Sequence, residues 1–133
     1  MKEITVPAKD SLLDEVSNFV ETELRENGCP PRTTMQILIA LEELFVNIAH
    51  YGYPGGEGTA TVAVGFDGEC AILRLTDSGI PFNPLKREDP DVSLPAEERK
   101  IGGLGIYMVR KTMDEMQYEY TDGKNILSIK KTF

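Results

Sequence analysis

Residues 41–54, LEELFVNIAHYGYP, decide how this chain is read. On a wheel of about 100° per residue, Ile37, Leu38, Leu41, Leu44, Phe45 and Ile48 fall on one broad side. That spacing predicts a helix over 32–51 whose broad side faces a core, ended by the turn-rich YGYPGGEG. Glu43, Asn47 and His50 fall together on the opposite side, at i, i+4 and i+7. Ile39, Ala40 and Val46 flank them. A solvated helix face is bordered by Lys, Glu or Gln, whereas a polar stripe bordered by apolar residues suits the wall of a ligand pocket. From this helix alone the choice stays open, because an exposed stripe between two partly covered shoulders gives the same pattern.

The remaining composition narrows the classes. A chain of 133 residues with 41% hydrophobic content predicts one domain with an ordinary core. The net charge of −8 argues against nucleic acid or an anionic membrane as the main partner, since phosphate backbones are bound through a cationic face. A small anionic ligand needs only a local site. Cys29 and Cys70 fit no metal or redox spacing and are read as free thiols of a reduced compartment. MKEITVPAKD has no signal-peptide apolar segment, and no run approaches the ~20 apolar residues of a membrane span. The expectation is a cytoplasmic protein.

Working outward from 41–54, EITVP alternates like a short strand, and residues 9–27 carry helical spacing closed by Asn27-Gly28. TATVAVGF and CAILRLTD read as two strands joined at Asp67-Gly68, and MQYEYTD and NILSIKKTF as two more around Asp122-Gly123. LGIYMVRKTMDE resumes helix. Between Ser78 and Gly103 lie four prolines and many charges with little periodicity. So long an irregular stretch inside one domain suits a functional lid, placed at about 84–102. Helices do not alternate singly with strands. The predicted class is therefore α+β: a two-layer α/β sandwich with a mixed, mostly antiparallel sheet and helices on one face.

Two further segments bear on the polar stripe. In TDSGIPFNP, Asp77 ends an apolar strand, where a carboxylate can accept hydrogen bonds from a ligand amine, and Gly79 lets a flat ring approach the backbone. The same residues also make an ordinary Asp-Ser-Gly turn. In IGGLGIYMV, Gly102, Gly103 and Gly105 lead into a helix, whose free N–H groups and positive end suit an anion. No Gly-Lys-Ser/Thr follows, and Met108 stands where a dinucleotide fingerprint needs its last glycine.

Taken in order, Glu43-x-x-x-Asn47, Asp77-x-Gly79 and Gly103-x-Gly105 after a charged lid resemble the GHKL (Bergerat-fold) ATP-binding domains. The resemblance runs from the second helix to the last strand. DSGIPFNP and GGLGIYMVRKTMDEM are most similar to stand-alone anti-sigma serine/threonine kinases. The resemblance implies a Bergerat fold spanning 1–133, with ATP and Mg²⁺ as cofactors. It implies Asn47 as the Mg²⁺ ligand, Glu43 as the general base, and Asp77 as acceptor for the adenine amine, with Gly79 and Ile80 beside the ring. It implies Gly103, Leu104 and Gly105 along the phosphates, and His50 at a basic phosphate-facing position or in a packing role. Arg99 is the candidate lid cation on the γ-phosphate, with Lys100 and Arg87 as alternatives. Where the family often has a Gly-Thr pair whose hydroxyl helps hold adenine, this chain has Lys124 and Asn125, and Asn125 offers a similar hydrogen bond.

The implied function is a protein serine/threonine kinase and anti-sigma factor. Its implied partners are a STAS-type anti-anti-sigma protein, an RNA polymerase sigma factor and a second copy in a homodimer. Two other functions share these motifs: a binding module switched by nucleotide without phosphotransfer, and a stand-alone ATPase of another pathway. A self-contained histidine kinase or a gyrase-like machine is not expected, because these residues hold neither a phosphoacceptor-histidine helix nor a transducer domain.

Overall fold

The structure, a computed structural model, describes residues 1–86 and 103–133. Its elements run β1 (Lys2–Pro7), a 3₁₀ turn (Asp10–Leu12), α1 (Leu13–Glu26), α2 (Pro31–Tyr51), β2 (Thr59–Asp67), β3 (Cys70–Asp77), a 3₁₀ turn (Pro84–Lys86), α3 (Gly103–Thr112), β4 (Glu115–Thr121) and β5 (Lys124–Thr132). The strands form one sheet in the order β1-β2-β3-β5-β4. The expected sheet was mixed and mostly antiparallel; every ladder among the described residues is antiparallel. The first helix, expected from residue 9, begins at Leu13 after the 3₁₀ turn.

Local chemistry sets the boundaries. α1 stops at Gly28, whose φ of 82° only glycine adopts cheaply. The Cys29 N–H then reaches back to the Leu24 carbonyl and the Gly28 N–H to that of Arg25, satisfying two carbonyls the helix end leaves open. Pro31 opens α2, where its missing N–H costs nothing. Asp122 and Gly123 both take positive φ, which closes the β4–β5 hairpin in two residues with the twist that the strands need.

The three described helices share one core with one face of the sheet, and α2 is central, touching both α1 and α3. Val16, Val20 and Leu24 of α1, Ile37, Leu41, Leu44 and Phe45 of α2, and Ile106 and Val109 of α3 are buried against the sheet. The strands answer with rows at inward positions: Val64, Leu73 and Ile129 in one register, Val62, Leu75 and Leu127 in the next. Each fully buried Leu, Phe or Val contributes about 1.5–3 kcal/mol relative to exposure. Ala40, expected to flank the polar stripe, is buried in this core, while Ile39 on the other flank is half exposed. The pattern breaks one row further on. There Asp77 and Asn125 are directly opposite each other at inward positions, and both are buried. Polar residues thus replace apolar ones at the sheet end that lies under the C-terminal half of α2.

Cys29 and Cys70 are free thiols. Among the described residues no helix is long and apolar enough to cross a membrane.

Candidate functional site

The break in the apolar rows opens a cavity of about 60 Å³ between α2 and the sheet. Leu44 and Ile48 of α2, with Leu75 and Leu127 of the sheet, make its apolar walls. Asn47, Asp77, Tyr118 and Asn125 bring polar groups to it, and Ile80 and Phe82 close one side. Few polar groups converging on an apolar hollow are the common form of a small-molecule site.

Asp77 ends β3 and turns its carboxylate inward, because residues 71, 73, 75 and 77 share one face of the strand. Its Oδ1 accepts from the Gly79 N–H at 2.9 Å and from Asn125 Nδ2 at 3.0 Å. Oδ2 takes part in neither bond. The Asn125 amide is the centre of a larger set. Nδ2 also donates to the Ile80 carbonyl at 2.9 Å and lies 3.4 Å from that of Gly79. Its Oδ1 accepts from the Phe82 N–H at 3.1 Å and from the Tyr118 hydroxyl in a short bond. An amide has two N–H bonds to give and room for two at oxygen, so these contacts use its full capacity. The sequence suggested Asn125 as a nucleobase contact; in the structure it is committed to the protein, holding the 79–82 loop to the end of β5.

The loop's other side is fixed by α2. The Ile80 N–H donates to the Gly52 carbonyl at 2.9 Å. A Cβ on Gly79 would strike that same Gly52 oxygen and stand 2.9 Å from Asp77 Oδ1. Glycine is required here by the approach of two backbones, a reason that the sequence does not display. Tyr53 braces the loop from outside: its hydroxyl accepts from the Ser78 N–H at 2.8 Å and donates to the Thr59 carbonyl at 2.6 Å. Burial, with the Asp77 charge nearby, pushes the Tyr53 hydroxyl above the usual tyrosine range, partly offset by the Ser78 N–H. Burial likewise raises that of Tyr118, again with Asp77 adding to the effect. Neither tyrosine stood out in the sequence. The signal that could have found Tyr118 is its parity with Met116 at inward positions of β4.

The polar stripe of α2 is divided by the fold. Asn47 lines the cavity. Glu43, one turn earlier, is exposed, and its carboxylate lies against Gly105 in the first turn of α3, where a Cβ would collide with it. Gly103 and Leu104 open that helix. The structure does not bring His50 to the cavity: its Nε2 is 2.6 Å from Asp10 Oδ2, and this exposed pair ties the end of α2 to the 3₁₀ turn that precedes α1. The expected lid from 87 onward, with Arg99, Lys100, Arg87 and Gly102, lies outside the described residues.

Among the described residues no group of three or more His, Cys, Asp and Glu side chains is arranged to hold a metal. Asn47, which lines the cavity, offers an amide oxygen, and a cation there would need the rest of its shell from a bound ligand and water. That donor set fits Mg²⁺, a hard ion that keeps its waters and is usually carried by phosphates.

Comparison with known proteins gives one family. The model of the histidine kinase-like ATPase domain matches residues 6–131. The serine-protein kinase RsbW of Bacillus cereus is 30% identical over 96 residues, which are 69% of this chain and 60% of that protein. RsbW of Bacillus mycoides is 29% identical over the same length. The chain thus spans about 60% of the length of the curated relatives it matches. Among solved structures, the RsbU and RsbW domains of a Mycobacterium tuberculosis protein superpose with a TM-score of 0.63 at 15% identity, over 99% of this chain and 32% of that one. The Acinetobacter baumannii histidine kinase AdeS gives 0.52 at 16% identity, over 99% and 68%. At such identities the structural likeness speaks for the fold.

Proposed function

The chain belongs to the histidine kinase-like ATPase family, and on that premise we propose that it is an ATP-dependent protein serine/threonine kinase. Its substrate would be a STAS-type anti-anti-sigma protein, and it would act as an anti-sigma factor that exchanges this partner for a sigma factor. The observation that carries the reading is spatial: Asn47 and Asp77, thirty residues apart, face one cavity, and Glu43 lies one turn from Asn47 against the start of α3. The RsbW relatives support the choice of a serine kinase over other members of the family. The cytoplasm and a homodimer belong to the same proposal.

Each residue has a physical task in it. Asp77 offers a carboxylate oxygen to the adenine amine, beside the apolar walls that take the ring. Gly79 and Ile80 form the loop along that ring. Asn47 would hold a Mg²⁺ carried by the nucleotide, which would supply charge neutralisation at the phosphates. The first turn of α3, Gly103 to Gly105, presents free N–H groups and a positive helix end to the phosphates. Arg99 supplies a lid cation. Glu43 takes the proton of the attacking serine or threonine hydroxyl as its oxygen bonds to the γ-phosphorus and ADP leaves. His50 joins the phosphate site in this scheme only by leaving Asp10.

The test is transfer of label from [γ-³²P]ATP to the STAS proteins of the source organism, with wild type and Glu43→Gln. The expected result is one labelled STAS protein and a loss of about 10²-fold or more with Glu43→Gln. Tight ATP binding with no labelled protein would replace the kinase by a module that uses nucleotide as a switch.

A further inference from the structure

We infer that Asn125 is a positioning residue that sets nucleobase specificity without touching the base, by locking the Asp77 carboxylate and the 79–82 loop in one arrangement. The inference rests on the ATP reading above and deepens it.

The geometry is specific. Asn125 is 6% exposed and Asp77 8%. Asn125 is bonded to four groups that form the wall of the cavity: Asp77 Oδ1, the Ile80 carbonyl, the Phe82 N–H and the Tyr118 hydroxyl. No hydrogen-bonding capacity is left for a ligand. Its effect on Asp77 is directional. Oδ1 is held from two sides, by Asn125 Nδ2 and by the Gly79 N–H. A carboxylate fixed at one oxygen cannot rotate about its Cβ–Cγ bond, so the orientation of Oδ2 is fixed as well. Both groups that meet Oδ1 are N–H donors, so the carboxylate is met as an acceptor.

An acceptor held at a fixed angle discriminates between purines. Adenine offers an amine at C6, a donor that pairs with it. Hypoxanthine and guanine offer a carbonyl there, which would face a carboxylate oxygen with no hydrogen between them. A site built around a buried hydrogen-bonding group rejects the analogue that leaves that group unpaired. If Asp77 could swing, it would lose alignment with the amine and avoid the carbonyl, and both parts of the preference would shrink. Asn125 prevents the swing. An aspartate at 125 could not donate, and a leucine or valine could bond none of the four groups.

The experiment measures ATP and ITP affinity by calorimetry for wild type, Asn125→Ala and Asn125→Thr, with thermal unfolding of each. ITP differs from ATP by the C6 carbonyl that replaces the amine and by the proton that N1 carries beside it, a donor one position away from the one that Asp77 is held to meet. Wild type is expected to favour ATP by about tenfold or more, the scale of one hydrogen bond to a charged group. In Asn125→Ala that ratio is expected to fall by about tenfold, because ATP binding weakens while ITP binding changes little. In Asn125→Thr, whose hydroxyl can hold Asp77 but not the Ile80 and Phe82 backbone at the same time, the ratio is expected to fall by about threefold. Should Asn125→Ala not fold, the threonine variant decides. A merely structural role would weaken both nucleotides equally, and an unchanged ratio in a folded variant overturns the inference while leaving the ATP reading intact. A wild-type chain that binds neither nucleotide overturns the ATP reading and this inference together.

Discussion

Gly105 in the first turn of α3 lies so close to the Glu43 carboxylate of α2 that a Cβ at position 105 would collide with Glu43 Oε2. The collision is with the far end of an exposed, flexible side chain, so the fold can absorb it by moving Glu43. Gly105→Ala should therefore keep or slightly raise stability, since alanine is favoured over glycine in a helix by up to about 1 kcal/mol. Phosphoryl transfer should fall by about 10²-fold, the loss that a displacement of about 1 Å can cause. Thermal melts and label transfer on one preparation check both parts. Unchanged transfer would mean that the position of Glu43 is not catalytic.

Gly79 differs from Gly105, because what stands in the way is backbone. A Cβ there meets the Gly52 carbonyl, which also accepts the Ile80 N–H. Gly79→Ala should cost about 1–3 kcal/mol, the usual range for overpacking, and weaken ATP binding by shifting the loop. Urea unfolding with unchanged slope would show the stability loss. A variant as stable as wild type would show that the loop moves freely away from α2.

Tyr53 gives a pH signature. Its phenol is held above the ordinary range in the folded chain, chiefly by burial and then by Asp77. The folded state therefore keeps the proton more tightly than the unfolded one. The stability it contributes is complete below the unfolded phenol's value of about 10 and is lost as pH rises through the folded value. Tyr53→Phe should cost about 1–2 kcal/mol at neutral pH, for the bonds to Ser78 and Thr59. Above pH ~10 it should then lose less than wild type. Denaturation midpoints between neutral and alkaline pH test this; parallel losses in the two proteins would remove Tyr53 from the explanation.

His50 and Asp10 form an exposed pair, and such pairs contribute about 0–1 kcal/mol, less at high salt. His50→Ala should lower stability by no more than that. Its ATP affinity should stay within about threefold of wild type, because neither member of the pair lines the cavity. A loss of about tenfold or more would show that the imidazole leaves Asp10 to meet the phosphates.

Much of this protein is written in local periodicity. The spacing of Leu41, Leu44, Phe45 and Ile48 fixes the buried side of α2, the alternation in CAILRLTD fixes the faces of β3, and Asn27-Gly28 and Asp122-Gly123 fix a helix end and a hairpin, because each depends on neighbours within a turn or two. The stripe of Glu43 and Asn47 was legible for the same reason. Tertiary structure alone decided the rest. Asp77 and Asn125 meet through the register of β3 on β5, 48 residues apart in sequence. Gly79 needs to be glycine because the end of α2 comes down on it, and His50 turns to Asp10 because the 3₁₀ turn before α1 lies beside it, 40 residues away. One chain carries helical and strand periods within each segment, but which polar residues face each other across the gap depends on how the segments dock. That is set by the sum of many apolar contacts and is marked at no single position.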